Sequence, residues 1–411
     1  MTRPGRGQPG LDRPTRLYVL AVFGLHMAFM PVLVLLLPRR TANLFGSDAE
    51  SALSWLLLAG ALTASFANIS AGFLGDRWVK HRGSRRGLIA IGLAALICSY
   101  GFLAFAVELA WLIPAIIAFQ IGLNMALGPT MALLADHIAS SRKGLVAGWM
   151  GAALPLSALG TAALGLAFPA DDNAAFFATA AIVALCVVPL LTFWGFAPAS
   201  LHSRPTDSAS EPGTAIRIPA ISLLWIARAL VQFAACFVLY YLFLHITRLI
   251  AGDTAWHSQS GTFFISFLSL ISACVAVPAA VFSGLVSDRL RSRQNLMALS
   301  ALVLALSLVV LGSRPSPLTF VVAFVLFQLF LSAYLAVDTA LIAQLTGHHP
   351  KRGAILGAMN LTNTLPAVLA PLLTIQAMSL AGGEMPYDLI YKVCALGLLV
   401  ATIAVLRSRS Q

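Results

Sequence analysis

The sequence predicts an all-α membrane protein of 12 transmembrane helices, built as two pseudo-symmetric six-helix bundles. Three observations carry that prediction. The 411 residues are 59% hydrophobic and 10% charged, with a mean hydropathy of +0.88. A soluble domain is about 45–50% apolar and about 25% charged, so this chain has too little charge to cover a water-facing surface. Its apolar residues fall into long, continuous runs that match the roughly 20 residues of a membrane helix, not the short alternating segments of a barrel. One long polar connection and two repeated loop motifs then divide the chain near its middle.

The first span, near 17–38, follows a tail carrying Arg3, Arg6, Arg13 and Arg16. Its apolar run is too long for a signal-peptide core, so it is a retained helix. Five more spans lie near 52–74, 87–107, 110–135, 144–168 and 174–195. Residues 196–217 are rich in Ser, Pro and Thr and read as a flexible linker. Six further spans follow near 219–247, 262–286, 295–313, 317–345, 354–378 and 389–406. The expected organisation is a first bundle over 1–195, the linker at 196–217 and a second bundle over 218–411. Pro31, Pro155, Pro278 and Pro366 stand where they would kink spans 1, 5, 8 and 11.

With the N-terminus in the cytoplasm, twenty Lys and Arg fall on the inner side. Five fall outside, namely Arg39, Arg40, Arg248, Arg314 and Lys392, and Arg228 lies inside a span. That bias places both termini in the cytoplasm and calls for an even number of spans. The net charge of +11 is therefore a topology signal, and no nucleic-acid partner is expected. The five cysteines all sit in apolar runs, and their odd number implies no disulfide framework. No P-loop, G-x-S-x-G elbow, H-E-x-x-H helix or Cys/His metal spacing occurs, so no enzyme activity, cofactor or metal is expected.

Gly72-Phe73-Leu74-Gly75-Asp76-Arg77 follows span 2, and Gly284-Leu285-Val286-Ser287-Asp288-Arg289 follows span 8, at an offset of 212 residues. Gly144 and Gly148 open span 5, and Gly353 and Gly357 open span 11, at an offset of 209. Repeated halves are a common transporter architecture. An Asp at a helix C-terminus opposes the helix dipole and needs an Arg or neighbouring amides to compensate it. Such a clasp can hold in one conformation and release in another. Gly72, Asp76, Arg77, Gly284, Asp288 and Arg289 are thus candidate latch residues, with Asp136 and Arg142 at the inner end of span 4 as a second element. A static clasp is the alternative. The paired glycines read as close-packing surfaces.

Twelve spans in a 6 + 6 arrangement, with G-x-x-x-D-R after spans 2 and 8, resemble the major facilitator superfamily. In that family the motif continues x-G-[RK]-[RK]. Here Trp78-Val79-Lys80-His81-Arg82 precede Gly83-Ser84-Arg85-Arg86, so a longer loop is expected. Val337-Asp338-Thr339-Ala340-Leu341, Arg352-Gly353, Asn360-Leu361-Thr362-Asn363-Thr364-Leu365-Pro366 and Pro371 are similar to sugar–cation and sucrose-type proton symporters. The resemblance implies alternating-access secondary transport in the bacterial inner membrane by a monomer. It also implies a small-molecule substrate and protons as partners, and a cavity lined by spans 1, 4, 7 and 10. A sugar-like or other small polar solute is the first reading. A proton-driven exporter of drug-like or metabolite molecules, and a non-transporting assembly factor, are the alternatives.

Charge at membrane depth costs about 2.5–3.5 kcal/mol and marks candidate sites. His26, Asn124, Arg228 and Asp338 all fall roughly 15–20 Å from the inner boundary at about 1.5 Å per residue. Asp338 and Arg228 are the two charges at this depth and are expected to pair. Paired, the carboxylate stays ionised; separated from its partner, it takes a proton. That contrast makes Asp338 the candidate proton-coupling group, with Arg228 as partner or substrate anchor. A permanent structural ion pair is the alternative. His26 is either a proton relay or a neutral, satisfied histidine. Gln120, Asn124, Gln232, Gln328, Asn360 and Asn363 offer amides to a solute or to neighbouring helices. Tyr240, Tyr241 and Tyr334, with Phe23 and Phe233, offer ring faces to a solute or to packing.

Overall fold

The computed structural model describes the backbone of residues 11–196, 218–252, 254–256, 260–289, 293–346 and 352–409; the side chains of 140–141, 218–219, 285, 288–289, 343–346, 352–357, 360 and 409 lie outside the description. Every regular element among them is a helix. The first span is α1 (Arg13–Pro31), which passes through a π turn at Val32–Leu36 into α2 (Leu37–Phe45). Pro31 has no N–H to give the ladder, and the helix widens immediately after it. The chain turns at Gly46–Asp48, where Gly46 takes a φ of 53° that side-chain-bearing residues avoid. Then come α3 (Ala49–Arg82), α4 (Arg86–Phe105), α5 (Leu109–His137), α6 (Ser140–Ala167) and α7 (Asp172–Thr192). The second half holds α8 (Ile218–Gly252), α9 (Gly261–Arg289), α10 (Arg293–Gly312), α11 (Pro317–Thr346), α12 (Arg352–Leu380) and α13 (Tyr387–Arg409).

Eleven helical stretches among the described residues are long and apolar enough to cross a membrane. The first, Arg13–Arg82, has 70 residues. At about 1.5 Å per residue it would reach roughly 105 Å, against a hydrocarbon core of about 30 Å. The Gly46 turn folds it into two passes, which makes twelve. The expected linker at 196–217 lies outside the described residues apart from Phe196. The expected longer loop after Asp76 is not a loop. Trp78 to Arg82 continue α3, because the first helix-breaking residue is Gly83. Its φ is 69°, and its N–H closes on the Val79 carbonyl at 2.8 Å.

In the first half α1 packs on α5, α6 and α7, α3 packs on α5, and α4 packs on α5 and α7. In the second half α8 packs on α12 and α13, and α10 on α11 and α13. The halves meet along α3 with α12, α3 with α8, and α6 with α9. The α4–α5 crossing brings backbones together. A Cβ at Gly92 would stand 2.5 Å from the Ala126 nitrogen, and one at Gly122 would stand 2.6 Å from the Leu96 nitrogen. Small residues allow that approach in an apolar medium, where packing drives association.

One end of the bundle carries the start of α1, the end of α13 and the cluster Arg77, Lys80, Arg82, Arg85 and Arg86; this is the basic end. The opposite, far end holds a buried clamp. Arg39 Nε donates to Asp172 Oδ1 at 2.5 Å, Arg39 Nη1 to the Phe168 carbonyl at 2.7 Å, and Asn43 Nδ2 to Asp172 Oδ2 at 2.9 Å. Arg39 therefore ties span 1 to the α6–α7 connection and is not a free loop charge, because the helix continues beyond the apolar run to Phe45. Beside it, Arg40 Nη2 donates to the Ala104 and Ala106 carbonyls at 2.8 and 3.0 Å.

The halves touch at the far end and diverge towards the basic end. A Cβ at Gly165, near the far end of α6, would lie 2.0 Å from Ser266 Oγ of α9. Among the described residues, nothing lies within 4 Å of a Cβ at Gly144, Gly148, Gly151, Gly72 or Gly284, all nearer the basic end. Among the described residues, nothing packs on the surface expected at Gly144 and Gly148. Gly353 and Gly357 lie outside the described residues.

Candidate functional site

Where the halves diverge, they enclose a cavity of about 230 Å³. From the first half it is lined by Leu33 of the π turn, Leu37, Leu56, Leu57, Gly60, Ala61, Ala64, Ser65, Asn68, Ile116, Gln120 and Asn124. Tyr240, Asn363, Thr364 and Ala367 line it from the second half. Apolar walls interrupted by a few placed amides are the usual make-up of a small-molecule site.

The amides form two groups. On the first half, Asn124 Nδ2 donates to the Gln120 carbonyl at 2.9 Å, and Asn68 Nδ2 reaches Asn124 Oδ1 at 3.4 Å. On the second half, Asn363 Oδ1 accepts from Gln232 Nε2 at 2.6 Å and from Arg228 Nη2 at 3.4 Å. Arg228 Nη1 in turn donates to Asp338 Oδ2. Asp338 has no exposure and the Arg228 side chain keeps 15%. A connected path therefore runs from the cavity wall at Asn363, through Arg228, to a carboxylate sealed from solvent.

That path is incompletely satisfied. Asp338 Oδ1, Arg228 Nε and the Tyr334 hydroxyl are buried with no hydrogen-bond partner among the described residues. Each such group costs about 1–3 kcal/mol relative to a satisfied one. Three lie together here, and Arg39 Nη2, Arg40 Nε and Asn173 Oδ1 form a second such group at the far-end clamp.

The other expected site residues scatter. Tyr241 points away from the cavity to Ser54, and Tyr334 stands buried one turn from Asp338. Gln328 is bonded within the second half, to Ser272 Oγ at 2.9 Å, and serves as helix glue. His26 does not line the cavity; its Nδ1 lies 2.8 Å from the Val22 carbonyl one turn back along its own helix. Its depth was legible from spacing, but the helix rotation that aims it elsewhere was not. Asn360 lies outside the described residues.

The latch expected in the first half forms with different partners. Arg85 Nε donates to Asp136 Oδ2 at 2.7 Å, and Arg85 Nη2 donates to Asp76 Oδ1 at 3.0 Å. Arg77 is exposed, and Asp136 meets Arg85 in place of Arg142. The reason is geometric: the last turns of α3 and α5 converge on the start of α4, so the first residue of that turn reaches both acids. Burial works against the Arg85 charge, yet the hydrogen bonds from Asp136 and Asp76 outweigh it and raise its pKa above the ordinary value. Gly75 leaves the room, since a Cβ there would come within 2.7 Å of Arg85 Nη1. Asp288 and Arg289, the counterparts in the second half, lie outside the described residues.

Sequence reasoning missed Asn68, Ser65 and Thr364 in the cavity, and Arg85 and Gly75 in the latch. Asn68 carried a signal, being an amide in an otherwise apolar span. Arg85 stood in the motif continuation Gly83-Ser84-Arg85-Arg86, with nothing to name its partners.

The comparisons with known proteins agree with this architecture. The Major Facilitator Superfamily family model matches residues 17–371 and 249–411. A 3-(3-hydroxy-phenyl)propionate transporter of Escherichia coli (strain K12) is 27% identical over 374 residues, covering 89% of this chain and 86% of that one. A POT family transporter in complex with 5-aminolevulinic acid superposes with a TM-score of 0.76 at 13% identity, covering 98% of this chain and 97% of the other. The nucleoside transporter NupG superposes with a TM-score of 0.69 at 12% identity, covering 97% and 100%. Twelve passes, divergent halves and an amide-lined cavity between them meet the family match along the whole chain: the protein belongs to the Major Facilitator Superfamily and is a multi-pass membrane transporter.

Proposed function

We propose that the protein is a proton-coupled symporter that takes up a small amphipathic organic solute across the bacterial inner membrane. The basic end faces the cytoplasm, as the distribution of Lys and Arg requires. The observation that carries the reading is the path from Asn363 through Arg228 to the sealed carboxylate of Asp338. A solute whose polar head engages Arg228 competes with Asp338 for the guanidinium. A buried carboxylate that loses its counter-charge is neutralised by a proton rather than left charged. Solute and proton then cross together, and release of either restores the pair.

The walls speak to the solute. Leu33, Leu37, Leu56, Leu57 and Ile116 present apolar surface that a sugar, polar all round, would leave poorly matched. A carboxylic acid with a flat apolar body suits both the walls and Arg228. The hydroxyphenylpropionate named for the E. coli relative has that chemistry. Uptake of labelled arylalkyl acids and sugars into proteoliposomes, with and without an inward proton gradient, tests the reading. Gradient-stimulated acid uptake that is lost in Asp338→Asn, with solute exchange retained, is the expected result. Sugar uptake would return the solute to the polar class. Gradient-driven loss of a preloaded amphiphile would identify an exporter instead.

A further inference from the structure

The far end holds a titratable cluster that central proton coupling does not use. Glu50 and Ser54 stand four residues apart on α3, on one face of the helix, and both reach across to the second half. Glu50 Oε1 accepts from the Tyr387 hydroxyl at 3.3 Å, and Ser54 Oγ lies 2.7 Å from the Tyr241 hydroxyl. These two contacts close the seam between the halves above the cavity.

The surroundings of Glu50 are charged and reachable from the far end. Tyr387 stacks on His245, with ring centroids 4.5 Å apart, and the Arg248 guanidinium stands 5.9 Å from the Tyr387 ring centre. Arg248 Nη2 donates to Glu384 at 2.6 Å. A second cavity, of about 490 Å³, is bounded by His245, Arg248, Glu384 and Tyr387 at this end. The groups that face Glu50 are therefore Tyr387 from α13, Arg248 and, through Ser54, Tyr241 from α8, and Glu384 from the α12–α13 connection. Asp48 precedes it on its own element. Arg40 of α2 is committed to the Ala104 and Ala106 carbonyls.

We propose that Glu50 is a second proton-binding site, the carboxylate of a gate at the far end: ionised it holds the halves together, and protonated it lets them part. Ionised, it accepts a charge-assisted bond from Tyr387 and attracts Arg248. Hydrogen bonds to an ionised group are roughly twice as strong as neutral ones, so protonation weakens the seam. Arg248 loses that attraction but stays paired, because Glu384 remains its partner. With the far end outside, external acid opens the carrier to external solute. The inference goes beyond the central proton site and does not depend on Asp338.

The test is a distance between spin labels on Ser47→Cys, in the turn before α3, and Leu380→Cys, which is 91% exposed at the far end of α12. The five native cysteines are replaced, and no solute is present. Moving from pH 8 to pH 5 should raise the open-to-closed ratio by roughly fivefold, the difference between a charge-assisted and a neutral bond. Glu50→Gln should be open to the same extent at both pH values. Ser54→Ala should also favour the open form but keep the pH response, and so should Asp338→Asn. A reference protein unchanged between pH 8 and pH 5, or a pH response that survives in Glu50→Gln, overturns the proposal. A response lost in Asp338→Asn and kept in Glu50→Gln assigns the proton to the central pair.

Discussion

The two halves share a fold and place their ionic networks at opposite depths. In the first half Arg85 joins Asp136 and Asp76 at the basic end, where the side chain of Asp76 is 72% exposed. In the second half Arg228 and Asp338 sit in the middle of the bundle, with Asp338 sealed from solvent. Water reaches Asp76 in the first network, although Arg85 itself is largely buried, whereas Asp338 in the second is sealed. An ion pair with one partner open to water is worth little, whereas removing one partner of a buried pair is costly. The repeat thus supplies a scaffold on which the Arg85 cluster lies at the basic end of one half and the Arg228–Asp338 pair in the middle of the other.

Separating the central pair is the strongest way to break this comparison. Arg228→Ala leaves Asp338 uncompensated and should cost about 3–5 kcal/mol, read as lost thermal stability in detergent. Adding Asp338→Asn to that variant should recover most of the loss, and a failure to recover would show that Arg228 contributes chiefly by packing. Next comes the α4–α5 crossing of the first half, where the two backbones meet directly. Gly92→Val drives a side chain into the α5 backbone and should destabilise by about 1–3 kcal/mol, seen as a lower melting temperature.

The Arg85 cluster should respond more weakly. Arg85→Ala takes a buried guanidinium from two acids, of which Asp76 is exposed, and should cost less than Arg228→Ala, with an effect that weakens as salt rises. Its larger consequence should be a slower net uptake with solute binding retained, measured by comparing initial rates with equilibrium binding. A loss in stability equal to that of Arg228→Ala would erase the distinction between the halves. The smallest effect is expected at Gln328→Leu. This exchange removes a helix–helix hydrogen bond of about 0.6 kcal/mol and should leave uptake near the native rate.

Much of the fold was legible, and so was part of the candidate site. The Arg228–Asp338 pair follows from two opposite charges at one depth, and the latch acids Asp76 and Asp136 follow from the motif and its neighbouring helix end. The basic partner did not follow. Proximity along the chain pointed to Arg77 and Arg142, whereas the chosen residue was Arg85, because three helix ends converge on it and Gly75 gives it room. Asn124 and His26 show the same divide at membrane depth. Both were placed at the level of the cavity, yet Asn124 lines it and His26 turns back to Val22.

By itself the sequence determined how many times the chain crosses the membrane, where it turns, and how deep each polar residue lies. Hydropathy sets the span and a rise of about 1.5 Å per residue converts position into depth. Rotation about each helix axis and the choice of partners were decided by tertiary packing alone. In a helix that is apolar all round, no polar face announces which side meets the neighbour. The glycines that let α4 and α5 touch, the divergence of α6 from α9, and the tyrosines that close on Glu50 and Ser54 exist only where two distant stretches of chain meet.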